Sequence, residues 1–423
     1  MIINMYNRIK NQLLNWPLIN WVLLGFFITF FIFFVKPIFF HSSLTMQFNE
    51  YVVNLSPIGH DFREIVSISS TWYQTGETPP ILYPPFTLIF FTPFTFLSYE
   101  TGYKIFVLIT IICYILITFI IPQWINKSKE ISPFAMLIFI TGIISYGFQF
   151  ELERGQWNIV AFAFCLAAIY IFHNRPTYRW LAYLLFTISV QLKLYPVIFV
   201  FTFIENWSDW RNNLKRILRL GIFNILAIFI LGWNPIFGTI NSLVGITSSQ
   251  AHVGGALNHS ITSFIIFILK NKFLPRKRVI LWLLQNNWLL QLFFFIFLGL
   301  CFLIIILQIY KKNTTGFNPY ILLACSIGAC IIPSISFDYK LSILPACITL
   351  SIPSILAYTE GENRALNILL AVIFSIAYSS TLYSYITKPE IIRNNFPALL
   401  LILIICTISS IIKSDKVVEE GAL

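Results

Sequence analysis

The run "WVLLGFFITFFIFFV", residues 21–35, contains no charged side chain, and how it is read decides the fold. Widened to 18–38 it has the length an α-helix needs to cross a bilayer. Arg8 and Lys10 precede it and no small-residue cleavage site follows. It therefore reads as a retained first span with a cytoplasmic N-terminus, not as a removable signal peptide.

The same texture recurs along the chain. Further apolar runs lie near 102–121, 133–150, 158–172, 179–192, 196–206, 217–233, 289–309, 318–334, 341–358, 365–385 and 396–412. With 57% hydrophobic and 11% charged residues spread over 423 positions, the expectation is an all-α polytopic membrane protein of about twelve transmembrane helices in a single domain, 1–423. The net charge of +11 fits basic cytoplasmic loops facing anionic membrane lipid better than it fits a nucleic-acid partner, because no separate basic domain exists. Seven cysteines, none in CxxC spacing, read as small packing residues and indicate neither disulfides nor zinc.

Threading the spans from a cytoplasmic N-terminus places "HNRPTYR" (173–179) and "NWSDWRNNLKRILR" (206–219) inside, with the C-terminus, in a plasma (inner) membrane. "KNKFLPRKR" (270–278) falls outside, against the charge rule. Two sizeable external segments result, 39–101 and 234–288. In the first, 62–74 and the proline-rich 83–97 are expected as interfacial helices, since the latter is too short to stand upright as a span.

Charges beside apolar spans are the informative ones, because one at the bilayer centre costs about 2.5–3.5 kcal/mol. In this threading Asp61, Arg63, Glu153, Arg154, Lys193, Asp338 and Lys340 gather at the external surface from separate parts of the chain. A carboxylate among cations at headgroup level suits a reaction on a phosphate-linked lipid: cations hold the phosphate and the acid takes a proton from an attacking hydroxyl. The plainer alternative, interfacial residues anchoring helix ends, stays open for each residue alone. Asp61 could equally cap a helix beginning at Phe62.

The ordered series "HD" (60–61), "YPPF" (83–86), "ERGQWNIVAFAFCLAAIYIF" (153–172), "QLKLYPVIFVF" (191–201), "GGALNHSITSF" (254–264) and "SISFDYKLSILPA" (334–346) resembles glycosyltransferase family 87. That family is similar to polyprenyl-phosphate-mannose-dependent mannosyltransferases of the GT-C membrane fold. The resemblance implies a hexosyltransferase that moves a sugar, mannose foremost, from a polyprenyl-phosphate donor to a hydroxyl of a lipid or glycan acceptor. It implies Asp61 as catalytic base and Lys193, before Pro196, as a ligand of the donor phosphate, with Arg154 and Lys340 assisting. His60, Tyr83, Gln156, Asn158, Asn258, His259 and Asp338 are then candidates for the sugar or acceptor. Trp72 and Tyr73 would stack on sugars or anchor at headgroups. Relatives often carry histidine near Asp338, where this chain has Tyr339 and Lys340; His252 or His259 could replace it.

No cofactor is expected. With no DxD or HxxE, no metal site is expected either, and no P-loop or Rossmann signature is present. A polysaccharide polymerase or ligase and a twelve-span transporter are the alternative functions. The transporter would need matched interrupted helices in two halves, and the sequence shows no such symmetry.

Overall fold

The computed structural model describes residues 18–31, 58–77, 81–126, 133–248, 258–270, 286–355, 364–383 and 394–412. Among these the named elements are all helices, α or 3-10 with one π turn. One isolated antiparallel bridge, Asn258 to Phe337, is the sole extended pairing among the described residues. His252, most of 270–278 and several expected cytoplasmic loops lie outside the described residues.

Most apolar runs became helices near their expected limits, among them Asn158–Asn174, Arg179–Leu192, Asn287–Lys311 and Phe396–Ile412. Their lengths qualify the expectation of about twelve spans. Three described helices are long and apolar enough to cross a membrane, or five if each of two bent pairs counts as one span. The others fall short. Phe396–Ile412, at 17 residues, extends only about 25 Å against a hydrocarbon core of about 30 Å.

The bent pairs mark departures from the sequence reading. The run expected as one span over 133–150 breaks by 44° between Pro133–Ile143 and Tyr146–Arg154. Ser145 takes extended backbone there and accepts the Phe148 N–H on its hydroxyl, which starts the second helix afresh. The run expected at 196–206 is instead a 3-10 helix, Tyr195–Phe203, begun by Pro196. Both expected interfacial helices exist as helices, His60–Thr75 and Phe86–Phe91, the latter continuing as the 3-10 turn Thr92–Phe96.

Two apolar cores hold these elements. The larger unites the central helices, from Val22 through Phe162, Ile327 and Ile348 to Cys406. The smaller lies under the helix His60–Thr75, where Phe62 stacks on Phe106 at 4.9 Å and meets Phe94 edge-on at 5.3 Å. Such aromatic pairs contribute about 0.5–1.5 kcal/mol each beyond area burial. The small core thereby fixes the backbone of the residue before Arg63 and after Asp61.

Candidate active site

Two glycines bring the site together. Gly59 precedes the helix His60–Thr75 with φ +84°, and Gly155 ends the helix Tyr146–Arg154 with φ +68°. Both conformations disfavour any residue with a Cβ. The turns also touch: a Cβ on Gly155 would fall 2.7 Å from Phe62 Cβ and 3.2 Å from Gly59 Cα. The Gly59 N–H donates to the Glu153 carbonyl at 2.6 Å, locking the two turns face to face.

That contact aims Asp61 at the second turn. Gly59 makes no side-chain cap, and the helix starts at His60, so the Asp61 carboxylate is not spent on capping. Arg154 grips it with Nη2 to Oδ1 at 2.5 Å and Nε to Oδ2 at 3.0 Å, and Gln156 Nε2 donates to Oδ2 as well. His60, exposed, places Nδ1 3.4 Å from Oδ1.

Gln156 joins this acid to the cation. Its Oε1 accepts the Lys193 ammonium at 2.5 Å. Lys193 follows the helix Arg179–Leu192 in extended backbone, and its neighbours sew this turn to the 155–158 turn: Trp157 Nε1 donates to Leu192 O at 2.9 Å and Tyr195 hydroxyl to Asn158 O at 2.8 Å. The ammonium sits over Tyr83 at 4.3 Å and Trp157 at 4.2 Å, with Tyr339 at 5.9 Å. Burial pushes its pKa down to about 7, against the pull of Asp61 and Glu151. Lys340, also buried, is pushed down to about 8 and donates to Ile335 O at 3.2 Å.

Asp61, Tyr83, Arg154, Gln156, Lys193 and Lys340 all line one cavity of about 620 Å³, within the size range of small-molecule sites. Glu64 and Tyr339 line it too. Apolar walls come from Ile65, Ile81 and Phe337.

Other expected residues stand apart from it. Asn158 is buried at the start of its helix, and neither side-chain amide atom finds a hydrogen-bond partner among the described residues. Glu153 is likewise buried, its carboxylate oxygens without a hydrogen-bond partner among the described residues, and Arg63 lies over the Tyr99 ring. Tyr73 packs edge-on against Phe96, away from the cavity. His259 and Asp338 pair with each other at 2.9 Å, and Asn395 donates to Asp338 at 3.1 Å while Ser336 meets His259 Nε2 at 3.2 Å. Asn258 closes this knot by accepting the Ser336 and Ser260 N–H groups. The knot is buried and holds the loop that presents Phe337, Tyr339 and Lys340; burial raises the Asp338 pKa while its partners oppose that.

Glu151 was absent from the sequence reading. Fully buried, it accepts the Ile159 N–H at 2.7 Å and the Ser342 hydroxyl, tying the 155–158 turn to the helix carrying Lys340. Its sequence signal is an acid just ahead of the apolar helix Asn158–Asn174. Although no metal site was expected, one group of potential metal ligands does come together. His60, Asp61 and Glu64 bring ligand atoms within 4.8 Å of one another. In the folded chain the Asp61 carboxylate of that set is already engaged by the Arg154 guanidinium.

A family model, that of glycosyltransferase family 87, matches residues 82–332, more than half of the chain. The chain belongs to glycosyltransferase family 87. No curated protein matches it. The segment matched to family 87 includes Tyr83, Arg154, Gln156, Lys193, Asn258 and His259, and stops short of Asp61 on one side and Asp338 and Lys340 on the other. With its apolar helices, this family 87 member is a membrane glycosyltransferase that binds a sugar donor and an acceptor.

Proposed function

We propose that this glycosyltransferase moves a sugar, mannose foremost, from a polyprenyl-phosphate carrier to a hydroxyl of a lipid or glycan acceptor at the external face of a membrane crossed about twelve times. The observation that carries the reading is Gln156, whose one amide hydrogen-bonds both Asp61 and Lys193 across a shared cavity. The acid and the cation that a lipid-phosphate donor needs thus stand on either side of one small group.

In the proposed step Asp61 removes a proton from the acceptor hydroxyl. The freed oxygen attacks the anomeric carbon, the bond to the carrier phosphate breaks, and configuration inverts in a single displacement. The charge that grows on the leaving phosphate meets Lys193, with Lys340 alongside. Arg154 orients Asp61 through its fork of N–H groups. Oδ1 accepts one strong bond, from Arg154, and so keeps a lone pair for the acceptor hydroxyl's proton. Tyr83 borders the acid and offers a ring face to the sugar.

Membranes containing the protein, given labelled polyprenyl-phosphate mannose, should transfer label to lipid or glycan, and Asp61→Asn membranes should not. Equal transfer by both would remove Asp61 as the base. Transfer from a nucleotide sugar alone, with no lipid carrier, would end the donor assignment.

A further inference from the structure

A second cavity, also of about 620 Å³, lies at the opposite end of the helix Arg179–Leu192 from Lys193. Its position follows from the chain path. After Lys193 the 3-10 helix Tyr195–Phe203 runs back to Glu205, whose carboxylate accepts Arg179 at 2.9 Å and Arg216 at 2.7 Å. One helix of 14 residues, about 21 Å, therefore separates the two cavities.

The lining of this groove is ordered by helical spacing. Lys215, Arg219 and Phe223 follow one another every four residues on the helix Trp210–Ile228, so they form one stripe along a single face. Beyond Arg219 the helix turns apolar, with Ile222, Ile225 and Leu226 exposed. Trp180 faces the same groove from the neighbouring helix and is 63% exposed. Charge is in excess there. Glu205 answers Arg179 and Arg216, while among the described residues no acid lies within ion-pair distance of Lys215 or Arg219. Asp209, in the turn just before, is occupied with the Asn212 N–H and side-chain amide.

We propose that this groove binds the phosphate-bearing headgroup of an anionic membrane lipid. The phosphate would rest on Lys215 and Arg219, and the glycerol and first methylenes on Phe223 and Trp180, along the stripe where the helix passes from polar to apolar. A free phosphate would use the cations and leave the aromatic half of the groove empty. Each basic side chain near such a headgroup contributes enough that losing two weakens binding at least tenfold, to order of magnitude.

The test titrates the purified full-length protein in neutral detergent with short-chain phosphatidylglycerol, short-chain phosphatidylcholine and inorganic phosphate, reading bound ligand by native mass spectrometry. Phosphatidylglycerol should bind in preference to the other two, and Lys215→Gln with Arg219→Gln should weaken it by roughly tenfold or more. Lys193→Gln should leave that binding unchanged, which separates this groove from the catalytic cavity. Phe223→Ser should weaken the lipid and spare any residual phosphate binding. Lys215 and Arg219 are exposed, so the double variant should fold; if it did not, Phe223→Ser and the charge-keeping Lys215→Arg with Arg219→Lys would decide. Equal binding by wild type and the charge-removing variant, equal binding of the two lipids, or occupancy by inorganic phosphate at the same concentration would each overturn the proposal.

Discussion

At each end of the helix Arg179–Leu192 a carboxylate is clasped by arginine, and the two clasps differ in burial. Asp61 keeps 8% of its side chain exposed and Arg154 27%, inside a cavity that also contains a buried lysine. Glu205 keeps 37% exposed and divides itself between Arg179 and Arg216. The same ion-pair chemistry does different things in the two settings. Where the pair is buried, its geometry is held by backbone turns that admit only glycine, and its charges act strongly on one another. At the Glu205 end the arginines are about as buried as Arg154, and it is the carboxylate, more than a third exposed, whose pull is weakened by water and salt.

The comparison breaks first at Asp61. Asp61→Asn keeps size but removes the proposed base and turns one of the two oxygens that accept from Arg154 and Gln156 into a donor; it should lower kcat by about 100- to 10,000-fold with donor affinity nearly kept. A fall in donor affinity alone, measured with labelled polyprenyl-phosphate sugar, would reassign Asp61 to binding. Lys193→Gln should cost about 100- to 1,000-fold, the range for losing a donor to developing negative charge.

Lys193 also gives the buried end a pH signature that the exposed end lacks. With its pKa depressed to about 7, the free enzyme loses the ammonium as pH rises through neutrality. The kcat/KM for the donor should therefore fall above about pH 7, since that ratio reports the free enzyme. Lys340, at about 8, steepens the fall at higher pH. Lys193→Arg keeps its charge and should flatten the first step; a profile unchanged by that substitution would detach the titration from Lys193.

Gly155→Ala probes the turn itself. The added methyl would press on Phe62 Cβ at 2.7 Å from a backbone at φ +68°, so the two turns must part. A shift near 1 Å between acid and cation costs about 100-fold in rate. Activity should drop to that degree while the melting temperature falls modestly, and a variant with full activity would show that the glycine contact does not set the site.

That Asp61, Arg154, Gln156, Lys193 and Lys340 share one cavity was legible in part from the sequence. Asp61, Arg154 and Lys193 stood out because charges beside apolar runs are costly, and the expected threading of the spans put them on one face. Gln156 and Tyr83 were marked by their place in the quoted motifs. What stayed hidden depended on packing between distant segments. The break after Ile143 and the 3-10 helix Tyr195–Phe203 carry no hydropathy signal, since a bent or tightly wound apolar helix is as apolar as a straight one. The knot of Asn258, His259, Ser336, Asp338 and Asn395 spans residues far apart in the chain, so its members looked like separate ligands for a sugar. Glu151 was overshadowed by Glu153 two residues on, although in the folded chain only Glu151 finds partners among the described residues.

The smallest effect expected tests the exposed end. Glu205→Gln removes the acid that Arg179 and Arg216 share, yet the residues involved are all partly exposed, and such pairs contribute about 1 kcal/mol or less. Sugar transfer should change less than about twofold, because a charge one helix length away is screened within the Debye length of about 8 Å. The glutamine can still accept from one guanidinium, so only a small drop in melting temperature is expected. What should change is the groove, whose two released arginines add to Lys215 and Arg219 and tighten phosphatidylglycerol binding. Loss of transfer in Glu205→Gln would mean that the two ends are coupled through the helix between them. The contrast drawn from burial would then need a conformational link in place of two independent sites.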